Sequence, residues 1–158
     1  MNDAEEVISR LATASQTLVL AESCTAGLAA DLLAQVPGAS RVLWGSYVSY
    51  TGAAKIAMLG LDEGILRRYG AVSRETACAM AQGALQRSRA AIAAAVTGLA
   101  GPEGDGTPVP VGTVWIATAV RGKEVQAHMF QYTGSRQEVR SAAAEAVIKE
   151  LIRRLSLM

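Results

Sequence analysis

The sequence is poor in aromatic residues and carries almost no net charge. Phenylalanine, tryptophan and tyrosine make up 4% of its 158 residues, whereas hydrophobic residues reach 51%. Many of the latter are alanine, so helices are expected to pack closely through small side chains. Fifteen basic residues and fourteen acidic ones give a net charge of +1. This balance provides no excess of positive charge with which to bind nucleic acid or an anionic membrane. Any anion that the protein binds must be held by a local group of residues.

Cysteines and long apolar runs are scarce too. Cys24 and Cys78 form no CxxC or zinc-ligand pattern, which indicates free thiols in a reducing cytosol. The N-terminal stretch MNDAEEVISRL is acidic and helical in pattern, unlike a signal peptide. No apolar run approaches the roughly 20 residues that span a bilayer. We therefore expect a cytoplasmic protein that needs no metal or cofactor and contacts no membrane or nucleic acid.

Hydrophobic periodicity predicts alternating helices and strands. The predicted helices cover 3–15, which Asp3 is placed to cap, about 25–35, short segments within GAAKIAMLG and DEGILRRYG, a segment that opens at Ser73, and about 135–155. Strands are predicted at 17–21, 42–51 and 90–98, followed by a hairpin of TVWIATAV and EVQAHMFQY. This order predicts an α/β domain with three layers, α/β/α, around a mixed, mostly parallel sheet of about five strands.

Three polar segments, ESCTAG, SYTGAAK and TGLAGPEGDG, each follow one of the first three predicted strands. Ligands of open α/β sheets bind beyond the carboxyl ends of strands, so these segments should meet at one rim. Ser23 and Thr25 either cap the helix that follows or face an anion or a developing oxyanion. Capping is the commoner role for an isolated serine at such a junction.

The sequence offers few bases that could activate Ser23. The single histidine, His128, lies in the middle of a predicted strand, which favours a structural or surface role over a Ser-His-Asp triad. Lys55 can replace histidine if burial and its neighbours lower its pKa. The alternative is an ordinary solvated lysine on a helix.

The glycine-rich loop and two arginines of the last predicted helix could each serve either binding or structure. The glycines of TGLAGPEGDG either bring backbone amides close to a phosphate or carboxylate, or form a structural turn. Arg136 and Arg140 lie in the first turns of the last helix, where the macrodipole disfavours cations. They therefore either face an anion or are solvated.

AESCTAG, SYTGAAK, GAVSRETA, TGLAGPEG and PVGTVW, in this order and spacing, resemble the CinA C-terminal domain family over almost the whole chain. The resemblance implies a three-layer α/β/α fold and hydrolysis of a linear amide, the carboxamide of nicotinamide mononucleotide, in pyridine nucleotide salvage. It implies Ser23 as the nucleophile, Lys55 as the general base and Tyr50 as a residue that orients the base or the substrate. The candidate substrate-binding residues are Thr25, Thr97, Gly98, Gly101 and Arg140.

Two positions depart from the usual pattern of that family. Ala26 stands where members often have glycine, and Gly52 stands where they often have asparagine. Gly52 removes a side-chain hydrogen bond next to the proposed base, so a nucleotide-binding module without catalysis is one alternative. A competence-linked interaction protein is another, although the neutral charge weighs against direct contact with DNA.

The size of the chain bears on its organisation. Many relatives carry an additional N-terminal pyrophosphatase-type domain, for which 158 residues leave no room. A single domain over 1–158 is therefore expected. Small α/β domains of this type often pair, so we expect a homo-oligomer, with a dimer favoured.

Overall fold

A computed structural model describes all residues from Met1 to Met158. The helices are α1 (Asp3–Thr13), α2 (Leu28–Ala34), α3 (Gly52–Leu59), α4 (Glu63–Tyr69), α5 (Arg74–Gln86) and α6 (Arg136–Leu155). The strands are β1 (Leu18–Glu22), β2 (Leu43–Val48), β3 (Ile92–Gly98), β4 (Thr113–Val120) and β5 (Gln126–Gln131). None of the helices combines the length and the apolarity that crossing a bilayer requires.

All five strands belong to one sheet, in the order β2-β1-β3-β4-β5. β1 pairs in parallel with β2 and with β3, whereas β4 runs antiparallel to both β3 and β5. The antiparallel pair β4–β5 is the hairpin predicted from the sequence. The predicted fold class, a mixed and mostly parallel sheet in a three-layer α/β/α arrangement, is confirmed.

Helices cover the sheet on both faces, and the side chains of each strand alternate between them. In β1, Leu18 and Leu20 pack with α1, α2 and α6, whereas Val19 and Ala21 pack with α5 and Leu59 of α3. The alternation continues past the end of the strand. Glu22 points toward α2 and the next residue, Ser23, points toward α3. The period of two residues therefore separates these two polar side chains onto opposite faces.

Two helix starts differ from the sequence prediction. Asn2, and not Asp3, caps α1, because its side chain accepts the N–H of Glu5 at 2.9 Å while the Glu5 carboxylate accepts the N–H of Asn2 at 2.8 Å. The second helix begins at Leu28 rather than near position 25. Ala26 (φ +48°) and Gly27 (φ +103°) adopt left-handed conformations that cannot continue a right-handed helix.

Candidate active site

Ser23 and Lys55 are in direct contact at the carboxyl-terminal rim of the sheet. Ser23 lies immediately after β1, and Lys55 lies in the first turn of α3, where Thr51 caps the helix by accepting the N–H of Ala54 at 3.1 Å. The Lys55 Nζ is 2.9 Å from the Ser23 Oγ. The loops after β1 and β2 thus bring together a hydroxyl and an amine 32 residues apart in the chain.

Lys55 is buried without an acidic partner. Its side chain is 1% exposed, and no carboxylate lies within ion-pair distance of its Nζ. Burial therefore lowers the pKa of Lys55 from 10.5 to about 8. A substantial fraction of neutral amine near physiological pH is what a general base requires.

The surroundings of the Lys55 Nζ suit both of its protonation states. Besides Ser23, it contacts the carbonyl oxygens of Ser49 at 3.0 Å and Tyr50 at 3.3 Å. A neutral amine can donate to both carbonyls and accept the Ser23 hydroxyl proton, whereas a protonated amine donates to all three oxygens. In the latter state the Ser23 hydroxyl can donate to the Tyr50 carbonyl, 3.3 Å away. A proton can thus pass between Oγ and Nζ without movement of the heavy atoms.

A buried carboxylate holds the turn that carries Ser23. Glu22 is 1% exposed and accepts five hydrogen bonds. The donors are the Thr25 hydroxyl at 2.7 Å, the amides of Gly27 at 3.2 Å, Ala29 at 2.9 Å and Ala30 at 3.2 Å, and the Ser46 hydroxyl at 2.8 Å. The amides at the start of α2 are therefore engaged within the protein.

This engagement bears on the two roles expected at this junction, a helix cap or a contact to an anion, and the substrate contact of Thr25 stays a prediction. The α2 amides serve Glu22, and Thr25 is fully buried with its hydroxyl on the same carboxylate. In contrast, the backbone amides of Cys24 and Thr25 donate no hydrogen bond within the chain. They are the free donors nearest in sequence to Ser23.

A cavity of about 220 Å³ opens beside the Ser23–Lys55 pair. Its wall combines residues at or after the ends of β1, β2 and β3 with the segment before α5 and one residue of α6. It includes Ser23, Tyr50, Gly52, Lys55, Ala71, Val72, Thr97, Gly98, Gly101 and Arg136. All three segments that the sequence placed at one rim therefore contribute to the wall. No group of three or more His, Cys, Asp or Glu side chains is arranged to hold a metal ion.

The glycine-rich loop forms one side of this cavity. A Cβ at Gly98 would lie 2.8 Å from Val114 Cγ2 and 2.9 Å from the Thr113 carbonyl oxygen, so a side chain does not fit there. Gly101 has a φ of +83°, which favours glycine. Beside them the Thr97 hydroxyl donates to the Ala71 carbonyl at 2.7 Å, which joins the segment before α5 to β3.

The two arginines of α6 have different positions. Arg136 lines the cavity and donates to the Tyr50 hydroxyl at 2.6 Å and to the Gly101 carbonyl at 2.7 Å. Arg140 is not part of the cavity wall, and it donates to the carbonyls of Cys24 at 2.8 Å and Thr25 at 3.2 Å. Arg140 thus holds the turn and Arg136 is the arginine that lines the cavity, while the substrate contact of Arg140 stays a prediction.

Two other reactive side chains, Cys24 and His128, form no hydrogen bond with Ser23 or Lys55. Burial raises the pKa of the Cys24 thiol to about 11, so this neighbour of Ser23 stays a neutral thiol. His128 on β5 contacts Glu150 of α6 at 2.7 Å and does not line the cavity. The structure therefore contains no Ser-His-Asp triad at Ser23.

Comparisons with known proteins agree with this architecture. The family model described as CinA C-terminal domain matches residues 2–155. A CinA-like protein of Akkermansia muciniphila is 46% identical over 147 residues, which cover 92% of this chain and 35% of the relative. The chain spans about a third of the length of the curated relatives it matches.

Solved structures with the same fold cover the chain almost completely. The competence/damage inducible protein CihA from Agrobacterium tumefaciens is 42% identical with a TM-score of 0.89, over 99% of this chain and 97% of that one. A competence-damaged protein (CinA) superfamily protein from Escherichia coli is 32% identical with a TM-score of 0.92, over 96% and 87% of the two chains.

Proposed function

Because the chain belongs to the CinA C-terminal domain family, we propose that it hydrolyses the carboxamide of nicotinamide mononucleotide to nicotinate mononucleotide and ammonia. The observation that carries this proposal is the 2.9 Å contact between the Ser23 hydroxyl and the buried Lys55 amine at the wall of a cavity. A Ser-Lys dyad of this kind is suited to acyl transfer from an amide. The names of the relatives, CinA-like protein and competence-damage inducible protein, state no reaction, so the support for amide hydrolysis is the geometry of the Ser23–Lys55 pair.

The first step forms an acyl-enzyme. Neutral Lys55 accepts the proton of the Ser23 hydroxyl as Oγ attacks the amide carbon, and the carbonyl oxygen becomes an oxyanion. The free amide of Cys24, a residue that lines the cavity, is the donor proposed to stabilise it, in place of the helix-start amides that Glu22 occupies. Protonated Lys55 then donates its proton to the departing nitrogen. The C–N bond breaks, ammonia leaves, and an ester of Ser23 remains.

The second step returns the enzyme to its starting state. A water molecule gives a proton to neutral Lys55 and attacks the ester carbonyl, and the Ser23 oxygen leaves. Lys55 returns that proton to the Ser23 Oγ, so the nicotinate product departs as the acid. The same amine serves as base and acid in turn, which suits a pKa of about 8.

Arg136 is the residue proposed to hold the phosphate of the nucleotide. Its side chain is exposed at the cavity, and a guanidinium has five N–H donors, of which the contacts to Tyr50 and Gly101 leave several for an anion. Thr97, which lines the same cavity, is proposed to contact the substrate beside it.

Ammonia release by Ser23→Ala tests the reaction. We expect kcat to fall by about three orders of magnitude or more, as for other activated nucleophiles. Ser9→Ala, at an exposed position on α1, is the matched control and should retain the parental rate. Ammonia release by Ser23→Ala at close to that rate would contradict the serine role. Nicotinamide riboside, which lacks the phosphate, should react with a higher KM than the nucleotide.

A nucleotide-binding module without catalysis is the second candidate, and the observation that favours it is Gly52. This residue lines the cavity without a side chain, at the position where the family often has asparagine. Calorimetric binding of the nucleotide without any ammonia release would establish this function instead.

We also propose that the chain acts as a single domain over 1–158, as a dimer and in the cytoplasm. β2 is an edge strand, LWGSYV, without a charged residue, and Trp44 and Val48 on it are exposed. Uncharged exposed edges favour pairing of this strand with a second copy of the chain.

The two free cysteines support a location in a reducing compartment, whereas the oligomeric state is a separate question with its own test. Sedimentation at several concentrations tests the dimer.

A further inference from the structure

We infer that Glu22 is a positioning residue for Ser23, which fixes the turn after β1 so that the serine hydroxyl meets Lys55. The consequence for catalysis rests on the proposed function, whereas the placement of the hydroxyl does not. No step of the proposed mechanism uses Glu22, although it is covalently adjacent to the nucleophile.

The carboxylate of Glu22 is saturated by the protein itself. It is 1% exposed, and its two oxygens accept five hydrogen bonds at 2.7 to 3.2 Å. A carboxylate offers about four lone-pair sites, so no acceptor capacity remains for a substrate. Its donors come from the turn, from α2 and from Ser46 on β2, so it joins three parts of the fold. Glu22 therefore acts on the reaction only through the position of its neighbours.

The turn needs such an anchor because its backbone is unfavourable. Ala26 lies at φ +48°, which costs a non-glycine residue roughly 1 kcal/mol or more, and such strain persists only where the surroundings over-determine it. Gly27 at the N-terminus of α2 has no side chain with which to cap the helix. Glu22 supplies that cap from the preceding strand, by accepting the amides of Gly27 and Ala29.

A cation holds the same turn from the other side. Arg140 donates to the carbonyls of Cys24 and Thr25, whereas Glu22 accepts the amides that follow them. The amides of Cys24 and Thr25 take part in neither set of contacts and donate to no other residue of the chain. The two charged side chains thus fix the turn while leaving these two donors free.

A neutral amide cannot replace the carboxylate in this network. Glutamine has one acceptor oxygen, and when this oxygen accepts the amides of Gly27 and Ala29 its NH₂ group faces the Ala30 N–H, a donor that cannot reverse its role as a hydroxyl can. The turn of a Glu22→Gln protein should relax, and a displacement of about 1 Å between reacting groups costs about 100-fold in rate. We therefore expect Ser23 to react at least about 10-fold more slowly, with KM for the nucleotide within about 3-fold, because Arg136 and Thr97 lie on other elements.

The direct test is the rate at which a fluorophosphonate probe labels Ser23 in the full chain. It is measured across pH for the parent, Glu22→Gln, Thr25→Val and Ser46→Ala, well below each melting temperature. Glu150→Gln is the matched control, because Glu150 is also a buried carboxylate but pairs with His128 away from the cavity. We expect slower labelling in the three variants at an unchanged midpoint near pH 8, and parental labelling in Glu150→Gln.

The outcomes separate this inference from the proposed function. Parental labelling of folded Glu22→Gln would overturn the positioning role, since a purely structural residue changes the folded fraction and not the reactivity of Ser23. If Glu22→Gln does not fold, Thr25→Val and Ser46→Ala decide, and parental rates in both would overturn it. No labelling of the parent would overturn it too. Labelling of the parent without ammonia release from the nucleotide would refute only the proposed reaction.

Discussion

Replacement of Lys55 by methionine should abolish ammonia release and, at the same time, remove a pH-dependent penalty on stability. In the folded protein burial lowers the pKa of Lys55 from 10.5 to about 8. Between these values the unfolded chain binds more protons than the folded one, so this group makes stability rise with pH across that interval. Below about pH 8 the penalty is fully present, and its size is about 3 kcal/mol.

The expected magnitude follows from this difference in pKa. The free energy of unfolding of the parent should increase by about 2 to 3 kcal/mol relative to Lys55→Met between pH 7 and pH 10. The absolute difference at pH 7 is smaller than the full penalty, because methionine leaves the Ser49 carbonyl without a donor, at about 1 kcal/mol or more, whereas the Ser23 hydroxyl can still donate to the Tyr50 carbonyl. Only the pH-dependent part reports the shifted pKa.

Urea unfolding at pH 7, 8, 9 and 10 measures this difference. Lys149→Met, at an exposed position on α6, is the matched control and should show no such dependence. A difference between parent and Lys55→Met that does not vary with pH would refute a depressed pKa. Parental ammonia release by a folded Lys55→Met protein would refute the role of Lys55 as a base.

One pH profile and four substitutions test the site and its support. The kcat/KM of the parent should rise with pH through about 8, because neutral Lys55 is the base; a flat profile from pH 6 to 9 would contradict this. Ala26→Gly should stabilise the protein by up to about 1 kcal/mol in urea, since φ at this position is +48°, and a loss would show that the turn is not strained. Gly52→Asn should fold normally, because a Cβ at this position would lie 3.6 Å from its nearest neighbour. It should raise kcat if the missing side-chain hydrogen bond limits Lys55 as a base. A destabilised Gly52→Asn protein would contradict the space available at this position. Arg136→Gln should raise KM for the nucleotide about 10-fold or more, whereas Arg140→Gln should lower stability and kcat. The reverse pattern would favour Arg140 as the residue that binds the substrate.

The sheet could be predicted because its strands are short apolar or β-branched segments bounded by polar residues and glycine. The apolar run that contains β3 and the turn between β4 and β5 identify a central strand and a hairpin, and both occur. Helix starts were less predictable. Asn2 and Asp3 both have side chains that commonly cap helices, so the local sequence does not distinguish between them. Asn2 is the cap because its side chain and the Glu5 carboxylate each accept the other residue's backbone N–H.

The site was predictable only in part. The topology of an open sheet implies that the segments holding Ser23 and Lys55 meet at one rim. It does not determine which side chains of those segments face the cavity. Arg136 and Arg140 are one helical turn apart and equivalent in sequence pattern, and only the packing of α6 decides that Arg136 lines the cavity. The role of Glu22 was missed. The available signal was a carboxylate at the end of a buried strand, before a helix whose N-terminal residue, Gly27, has no capping side chain.

The side-chain alternation of β1 links these features to the chemistry. Glu22 and Ser23 are adjacent in the chain, yet the carboxylate meets α2 and the hydroxyl meets Lys55 of α3 on the opposite face of the sheet. A carboxylate on the same face as Lys55 would form an ion pair with it, raise its pKa and hold the amine protonated at neutral pH. Because the pleat keeps them apart, no carboxylate opposes burial, which is the largest influence on the pKa of Lys55. The protein can therefore hold a charged carboxylate next to its nucleophile while Lys55 remains able to act as a neutral base.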